Sequence, residues 1–136
     1  MKLELRFESD TRELRRMRNE VRAFLVGSGV PEMDAELVVL ALDEACANII
    51  RHAYQGDSER PIRLRCDCSG DAIECVLRDF GTPCDPAKIR GRDLQDFRPG
   101  GLGVRIMQKA FDCVDFQPKA RGTELRLIKR RKPTGQ

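Results

Sequence analysis

The stretch ALDEACANIIRHAY, Ala41 to Tyr54, decides how the rest of the chain is read. Its length and apolar content are those of a buried helix. Glu44 and Asn48 sit inside it, four residues apart, and therefore share one helical face. A bare carboxylate in a core costs several kcal/mol (on the order of 5) unless a partner or a metal offsets it. The ordinary resolution is a solvated helix edge. The other is a polar pocket facing both side chains. Asp43 lies about 100° round the helix from Glu44 and reads as a supporting or surface group.

The composition narrows the choice. The chain has 136 residues, enough for a single domain with a sizeable core. Charged residues make up 35% against 40% hydrophobic, and the net charge is +3. That charge is too small to argue for nucleic acid. With six Phe, one Tyr and no Trp there is no basic–aromatic stripe for stacking bases. No apolar run approaches the ~20 residues that span a membrane, and MKLELRF alternates where a signal peptide would run apolar. No nucleic-acid or membrane partner is expected, and a cytoplasmic location is. The six cysteines form no CxxC pair and there is one histidine, His52, so structural zinc is not expected. Small buried thiols are, with Cys66 and Cys68 continuing an inward alternation.

Period and punctuation supply the elements. KLELRFE alternates as a half-buried strand. Asp10 and Glu13 are spaced like a capping box, and Leu14, Met17, Val21, Phe24 and Leu25 recur at helical spacing until Gly27–Gly29 stops them. Pro31 is placed as a first helical residue, opening a long helix to about Tyr54. IRLRCDC and AIECVLRD are two strands joined by the turn SGD. A helix is expected from about Leu102, then CVDFQP and TELRLIKR as final strands. The strands alternate apolar with charged, so the sheet has one wet face and the helices stack on the other. The fold class is α/β (α+β): a two-layer sandwich, its sheet mixed but mostly antiparallel, with helices on one face.

Three glycine-bearing segments follow the long helix. In RDFGTP, Asp79 ends a strand and Gly81 allows a tight turn with close backbone approach. An aspartate so placed can accept from an exocyclic amine. In PGGLG, Pro99 to Gly103, glycines free N–H groups to face an anion at a helix start. In RGTEL, Thr123 offers a hydroxyl beside a glycine. Each segment alone reads as an ordinary turn or cap. Their order behind a Glu-x-x-x-Asn helix is far more specific.

With LDEACANIIRHAY, RDFGTP, GGLGVRIMQKAFD and GTELRLIK in that order, the chain resembles the GHKL superfamily of ATP-binding domains, which use the Bergerat fold. Within it, the sequence is similar to the anti-sigma-factor serine/threonine kinases of bacterial partner switching. The resemblance implies one ATP-binding domain over residues 1–130, with 131–136 a frayed tail. It implies that Asn48 coordinates Mg²⁺ and that Glu44 is the general base for a Ser or Thr hydroxyl attacking the γ-phosphate of ATP. Asp79 would hold the adenine amine at the turn of Gly81, with Thr123 assisting. The N–H groups of Gly101, Leu102 and Gly103 would cradle phosphates, and Cys84 to Arg98 would form a lid. His52 is expected to be structural, since a phosphoacceptor histidine belongs to a helical hairpin not found here.

The function so implied is sequestration of a sigma factor or similar target and phosphorylation of a small antagonist protein, with homodimerisation expected of the family. The alternative is a nucleotide-dependent switch that binds partners without useful kinase activity; a pure binder has no need of Glu44. Residues 11–26 carry five arginines against two glutamates. This is either a solvated helix face or a docking surface for an acidic partner, with Arg15 and Arg16 central to it.

Overall fold

The computed structural model describes residues 1–83 and 99–131, and of Pro99–Gly103 the backbone. The strands are β1 (Lys2–Glu8), β2 (Pro61–Cys68), β3 (Ala72–Arg78), β4 (Cys113–Pro118) and β5 (Thr123–Arg130). The helices are α1 (Thr11–Gly27), α2 (Glu32–Asn48) and α3 (Pro99–Ala110), and a π-helical turn, Ile49–Ala53, continues α2. The five strands make one sheet in the order β1-β2-β3-β5-β4, and every pairing in it is antiparallel. No parallel pair occurs among the described residues, so the expected mixed sheet is antiparallel here.

The alternation read from the sequence sets the layers. Ile62, Leu64, Cys66 and Cys68 of β2, Ile73, Cys75 and Leu77 of β3, and Leu125 and Leu127 of β5 are buried beneath the helices. Register holds the pattern together: Leu64 opposes Leu77, which opposes Leu125. A slip of one residue would turn all of them to water. From above, α1 contributes Leu14, Met17, Val21 and Leu25, one stripe at helical spacing.

Helix α2 is nearly apolar all round because it is covered on several sides. It packs against α1 and α3 as well as over the sheet, burying Ala35, Val38, Val39, Ala41, Leu42, Ala45 and Cys46. Its polar groups are placed where they find partners. Arg18 of α1 pairs with Asp43 at 2.8 Å, and Arg22 of α1 pairs with Glu36. Asp43 is thus the supporting group expected, tying α2 to α1.

The ends of the helices depart from expectation in detail. Asp10 caps α1 through Arg12 N–H at 2.9 Å, and the N–H of Glu13 goes to the Asp10 carbonyl, so the side chain of Glu13 closes no reciprocal box. Instead Glu13 accepts from Arg16. Gly29, at φ +86, ends α1 in the left-handed region. The N–H of Gly29 then reaches Val26 O and that of Val30 reaches Leu25 O, both at 3.0 Å. Pro31 stands one position before the helix, in extended conformation. The regular α-helix stops at Asn48, short of Tyr54, and α3 begins at Pro99, before Leu102.

Cys46, Cys66, Cys68 and Cys75 are buried thiols, as expected, but Cys113 is exposed: β4 is a sheet-edge strand and Cys113 lies on its open face. Burial pushes the Cys46 thiol far up, and the Cys66 thiol beside Cys75 raises the latter further. Among the described residues no cluster of His, Cys, Asp or Glu could hold a metal, and no helix is long and apolar enough to cross a membrane.

Leu42 of α2 is wholly buried in the core. Leu42→Ala should lower unfolding stability by about 2–5 kcal/mol in urea titration, with the m-value unchanged. A loss under about 1 kcal/mol would mean that the layer collapses around the gap.

Candidate functional site

The site grows from the end of α2. Beyond Asn48 the helix widens into a π turn: Tyr54 N–H bonds Ile49 O at 3.0 Å, five residues back. π turns inside helices occur often at functional sites. Here the turn turns its end toward the loop after β3. The carbonyl of Ala53 accepts from Thr82 N–H at 3.0 Å. A side chain on Gly81 would place its Cβ 2.2 Å from that carbonyl and 2.8 Å from the Tyr54 ring. Glycine is therefore obligatory there for steric reasons, and its φ is not in question.

Tyr54 completes the joint. Its hydroxyl accepts from Phe80 N–H at 2.8 Å and donates to the carbonyl of Pro61 at the start of β2. Burial raises the pKa of this hydroxyl, which keeps its proton for donation. The guanidinium of Arg60 lies 4.7 Å from the ring centre.

Asp79 stands at the centre of this loop, 3% exposed. One carboxylate oxygen accepts from Gly81 N–H at 3.0 Å. Its own N–H reaches the carbonyl of Thr123, across the sheet on β5, at 3.1 Å. Gly122, at φ +76, passes so close that a Cβ would lie 2.0 Å from the Asp79 carbonyl oxygen. Gly122 thus crowds the Asp79 backbone while Gly81 donates to its carboxylate. Burial holds the carboxyl above its ordinary 3.8, against the opposing pull of Gly81 N–H, Arg78, Thr123 N–H and Arg60.

Glu44 and Asn48 are both half-buried and on one face of α2. Among the described residues Glu44 makes no ion pair or hydrogen bond, so its carboxylate is available. The side-chain oxygen of Asn48 accepts from Arg51 at 2.9 Å. That oxygen therefore already faces a cationic group. Helix α3 packs against α2 and begins at Pro99, so Gly101 falls in its first turn, where backbone N–H groups lack intrahelical partners, while Leu102 and Gly103 follow as its fourth and fifth residues. Asp79, Gly81 and Thr123 are brought together directly. Asn48 is joined to them through the π turn and Ala53. The expected lid, Cys84 to Arg98, lies outside the described residues. His52 is exposed on the π turn, with an interaction of its own.

Of the two arginines singled out on α1, Arg15 is exposed and Arg16 is engaged. Arg16 contacts Glu13 at 3.4 Å, Glu20 at 3.5 Å and the carbonyl of Arg6 at 2.9 Å, the last on edge strand β1. Four residues of the site were not singled out from sequence: Arg51, Tyr54, Arg78 and Gly122. Arg51 could have been, since it lies three residues after Asn48 and so on its face.

This fold and these glycine-framed polar groups define an ATP-binding domain of the Bergerat class. The chain belongs to the histidine kinase-like ATPase domain family, whose profile matches residues 7–129. It is 29% identical over 93 residues to the serine-protein kinase RsbW of Bacillus velezensis, a match covering 62% of this chain and 58% of that one. It is 27% identical over 100 residues to the serine/threonine-protein kinase BtrW of Bordetella bronchiseptica, covering 71% and 70%. The match thus spans little more than half the length of the RsbW relative. Among solved structures, the RsbU and RsbW domains of Rv1364c from Mycobacterium tuberculosis superpose with a TM-score of 0.71 at 18% identity, over 98% of this chain and 34% of that one. A histidine kinase domain from Erythrobacter litoralis EL346 superposes at 0.58 over 85% of this chain and 58% of that one, also at 18% identity. These two show the fold.

Two outcomes test the joint. A carboxyl whose pKa is raised by folding binds more protons folded than unfolded in the window above 3.8. Stability from this group is therefore full at low pH and falls as pH rises through that window. Urea midpoints measured from acid to neutral pH should show wild type losing stability relative to Asp79→Asn as pH rises; parallel curves would contradict the burial. Tyr54→Phe leaves Phe80 N–H and Pro61 C=O without the hydroxyl. It should cost about 1–3 kcal/mol, and nucleotide affinity should fall with it. Full stability together with full affinity would show that the hydroxyl bridge positions nothing.

Proposed function

We propose that the protein is an ATP- and Mg²⁺-dependent serine/threonine protein kinase of the anti-sigma-factor type. It would bind a sigma factor or similar regulator and phosphorylate a small antagonist protein, in the cytoplasm and as a homodimer. The observation that carries this reading is the joint itself: the helix bearing Glu44 and Asn48 is bonded, through Ala53 and Thr82, to the loop that holds Asp79. Base, metal ligand and adenine acceptor thereby sit on one rigid frame. The serine kinase names of the relatives support the same class.

The residues present fit a Mg²⁺–nucleotide. Asn48 offers a half-buried amide oxygen, a hard donor of the kind Mg²⁺ accepts alongside phosphate oxygens and waters, once Arg51 releases it. When bound, the ion would neutralise phosphate charge. The remaining work belongs to the chain. Asp79, ionised, accepts from an exocyclic amine of the base and so distinguishes adenine from guanine. The first-turn N–H groups of α3 meet phosphate oxygens. Glu44, one helical turn before Asn48, takes the proton from an incoming hydroxyl. Docking of an acidic partner on α1 falls chiefly to Arg15, because Arg16 is already engaged. The phosphate placed on the antagonist would then break its contact by charge and desolvation.

The deciding experiment incubates the protein with labelled ATP and a purified candidate antagonist protein. Glu44→Gln should still bind ATP, while transfer falls by about 10²–10⁴-fold, the range for a positioned base. Asn48→Ala should lose Mg²⁺-dependent binding with the fold intact. Wild-type transfer by Glu44→Gln would remove the base from the mechanism. Nucleotide binding by wild type with no label on protein would assign the chain as a binding switch.

A further inference from the structure

The second face of the sheet carries none of the helices, and on it three arginines stand abreast. Arg6 of β1 is the register partner of Arg63 of β2, and Arg63 is the partner of Arg78 of β3. Neighbouring strands lie about 4.8 Å apart, so the row spans about 10 Å. Like charges directly opposite across strands repel. The next row on the same face avoids that problem. There Glu4, Arg65, Val76, Arg126 and Asp115 follow one another across the five strands. Arg65 lies 3.5 Å from Asp67 and 3.7 Å from Glu74, and Arg126 lies 3.9 Å from both Glu74 and Glu124.

The arginine row has no such neutralisation. Among the described residues neither Arg6 nor Arg63 makes an ion pair, although Glu4 and Glu8 flank Arg6 along β1. Glu124 stands opposite Arg78 but is engaged by Lys119 at 4.0 Å and Arg126 at 3.9 Å. Arg78 is anchored, donating to the carbonyls of Asp79 and Thr123. Beside the row lies the half-buried ring of Phe80, with the guanidiniums of Arg63 and Arg78 at 5.4 and 4.5 Å from its centre. The ring holds two of the cations in place, with Arg63 exposed and Arg78 half-buried.

We propose that Arg6, Arg63 and Arg78 form a docking surface for an acidic helix of a protein partner, lying across the strands with Phe80 beneath it. Carboxylates at i and i+4 of a helix stand about 5–6 Å apart, close to the strand spacing. Along one face of an extended strand they would be about 6.8 Å apart and fall out of step. Guanidinium forks suit carboxylates in pairs. Single-stranded nucleic acid is the weaker fit, because Phe80 already serves guanidiniums and leaves no open platform for a base. This surface lies on the sheet face opposite α1, so occupation of one leaves the other open. It does not depend on the kinase assignment.

The test uses the full chain and a fluorescein-labelled, alanine-rich helical peptide with glutamates at i, i+4 and i+7, beside its glutamine counterpart. Anisotropy should show binding of the glutamate peptide alone, weakening with salt. Arg6→Ser with Arg63→Ser should weaken it by about tenfold or more, as loss of a central charged contact does, and should flatten the salt dependence. Arg65→Ser with Arg126→Ser removes the same charge from the same face and should change it less than about twofold, since those side chains are already paired. Circular dichroism and ATP binding should be unchanged in both. Equal losses in the two double variants would reduce the effect to diffuse charge and overturn the proposal. So would failure of the glutamate peptide to bind, or tighter binding of a dT20 oligonucleotide lost in the Arg6/Arg63 variant. A wild-type dimer in sedimentation equilibrium that dissociates in that variant would assign the row to a second copy instead.

Discussion

One backbone hydrogen bond, Thr82 N–H to the carbonyl of Ala53, joins the two halves of the molecule that the site needs. On one side is the helix that carries Glu44 and Asn48. On the other is the strand end that carries Asp79. The bond forms only because Gly81 lets the loop approach the helix end to a distance no Cβ would permit. The approach in turn requires the helix to end as it does. A regular α-helix continuing through Ala53 would direct that carbonyl along its own axis, toward a residue four further on. The π turn breaks the ladder and releases it. Tyr54 then fixes the separation, since its hydroxyl serves both β2 and the loop after β3.

Much of the fold was legible because burial and period coincide. The strands alternate, and the alternation matches the helix-facing side of the sheet except at Val76 of β3, an apolar residue buried on the other face. Helix α1 has a single stripe and a glycine stop, and both are where the spacing puts them. Helix α2 was legible as a helix but not in its end. The signal there has little period, because α2 is packed by α1 and α3 on two sides while apolar residues such as Leu40 remain on its exposed face, so nothing in the pattern marks where the α geometry stops. Pro31 misled by one position for a related reason: its fixed φ suits extended backbone and the first helical turn alike. Cys113 was assigned inward with the other cysteines. Its neighbours Val114 and Phe116 hold the inner face of β4, so the pleat turns Cys113 out.

The candidate site was legible in its acceptors and glycines and illegible in its supports. Asp79, Gly81 and Thr123 come from segments whose chemistry is local, a strand end and two tight turns. Their support comes from residues far along the chain. Gly122 lies 43 positions from the Asp79 that it crowds, and nothing in RGTEL announces that contact. The Tyr54 hydroxyl works in the same way: its partners follow from the tertiary approach, not from spacing. Arg51 is different. It stands one turn from Asn48 on a helix already read as functional, and its guanidinium occupies the oxygen assigned to a cation. A guanidinium there and a divalent ion there are competing occupants of one acceptor, so binding of metal requires Arg51 to turn away.

The two faces of the sheet are built on opposite rules. The inner face is apolar and register-locked, so it tolerates little change. The outer face carries charge pairs of 3.5–3.9 Å between half-exposed side chains, two of them across strands through Glu74 and two each along a single strand. Exposed pairs of this kind contribute about 0–1 kcal/mol each, too little to secure the sheet, which the inner face already secures. Their physical role is to cancel like charge between neighbouring strands. Where cancellation is complete, around Glu74, the face is electrostatically quiet. Where it fails, at Arg6 and Arg63, the field is left standing on a rigid lattice whose spacing is set by the strands beneath. Arg78 stands in that row and also donates to the carbonyls of Asp79 and of Thr123, tying it to the ends of β3 and β5.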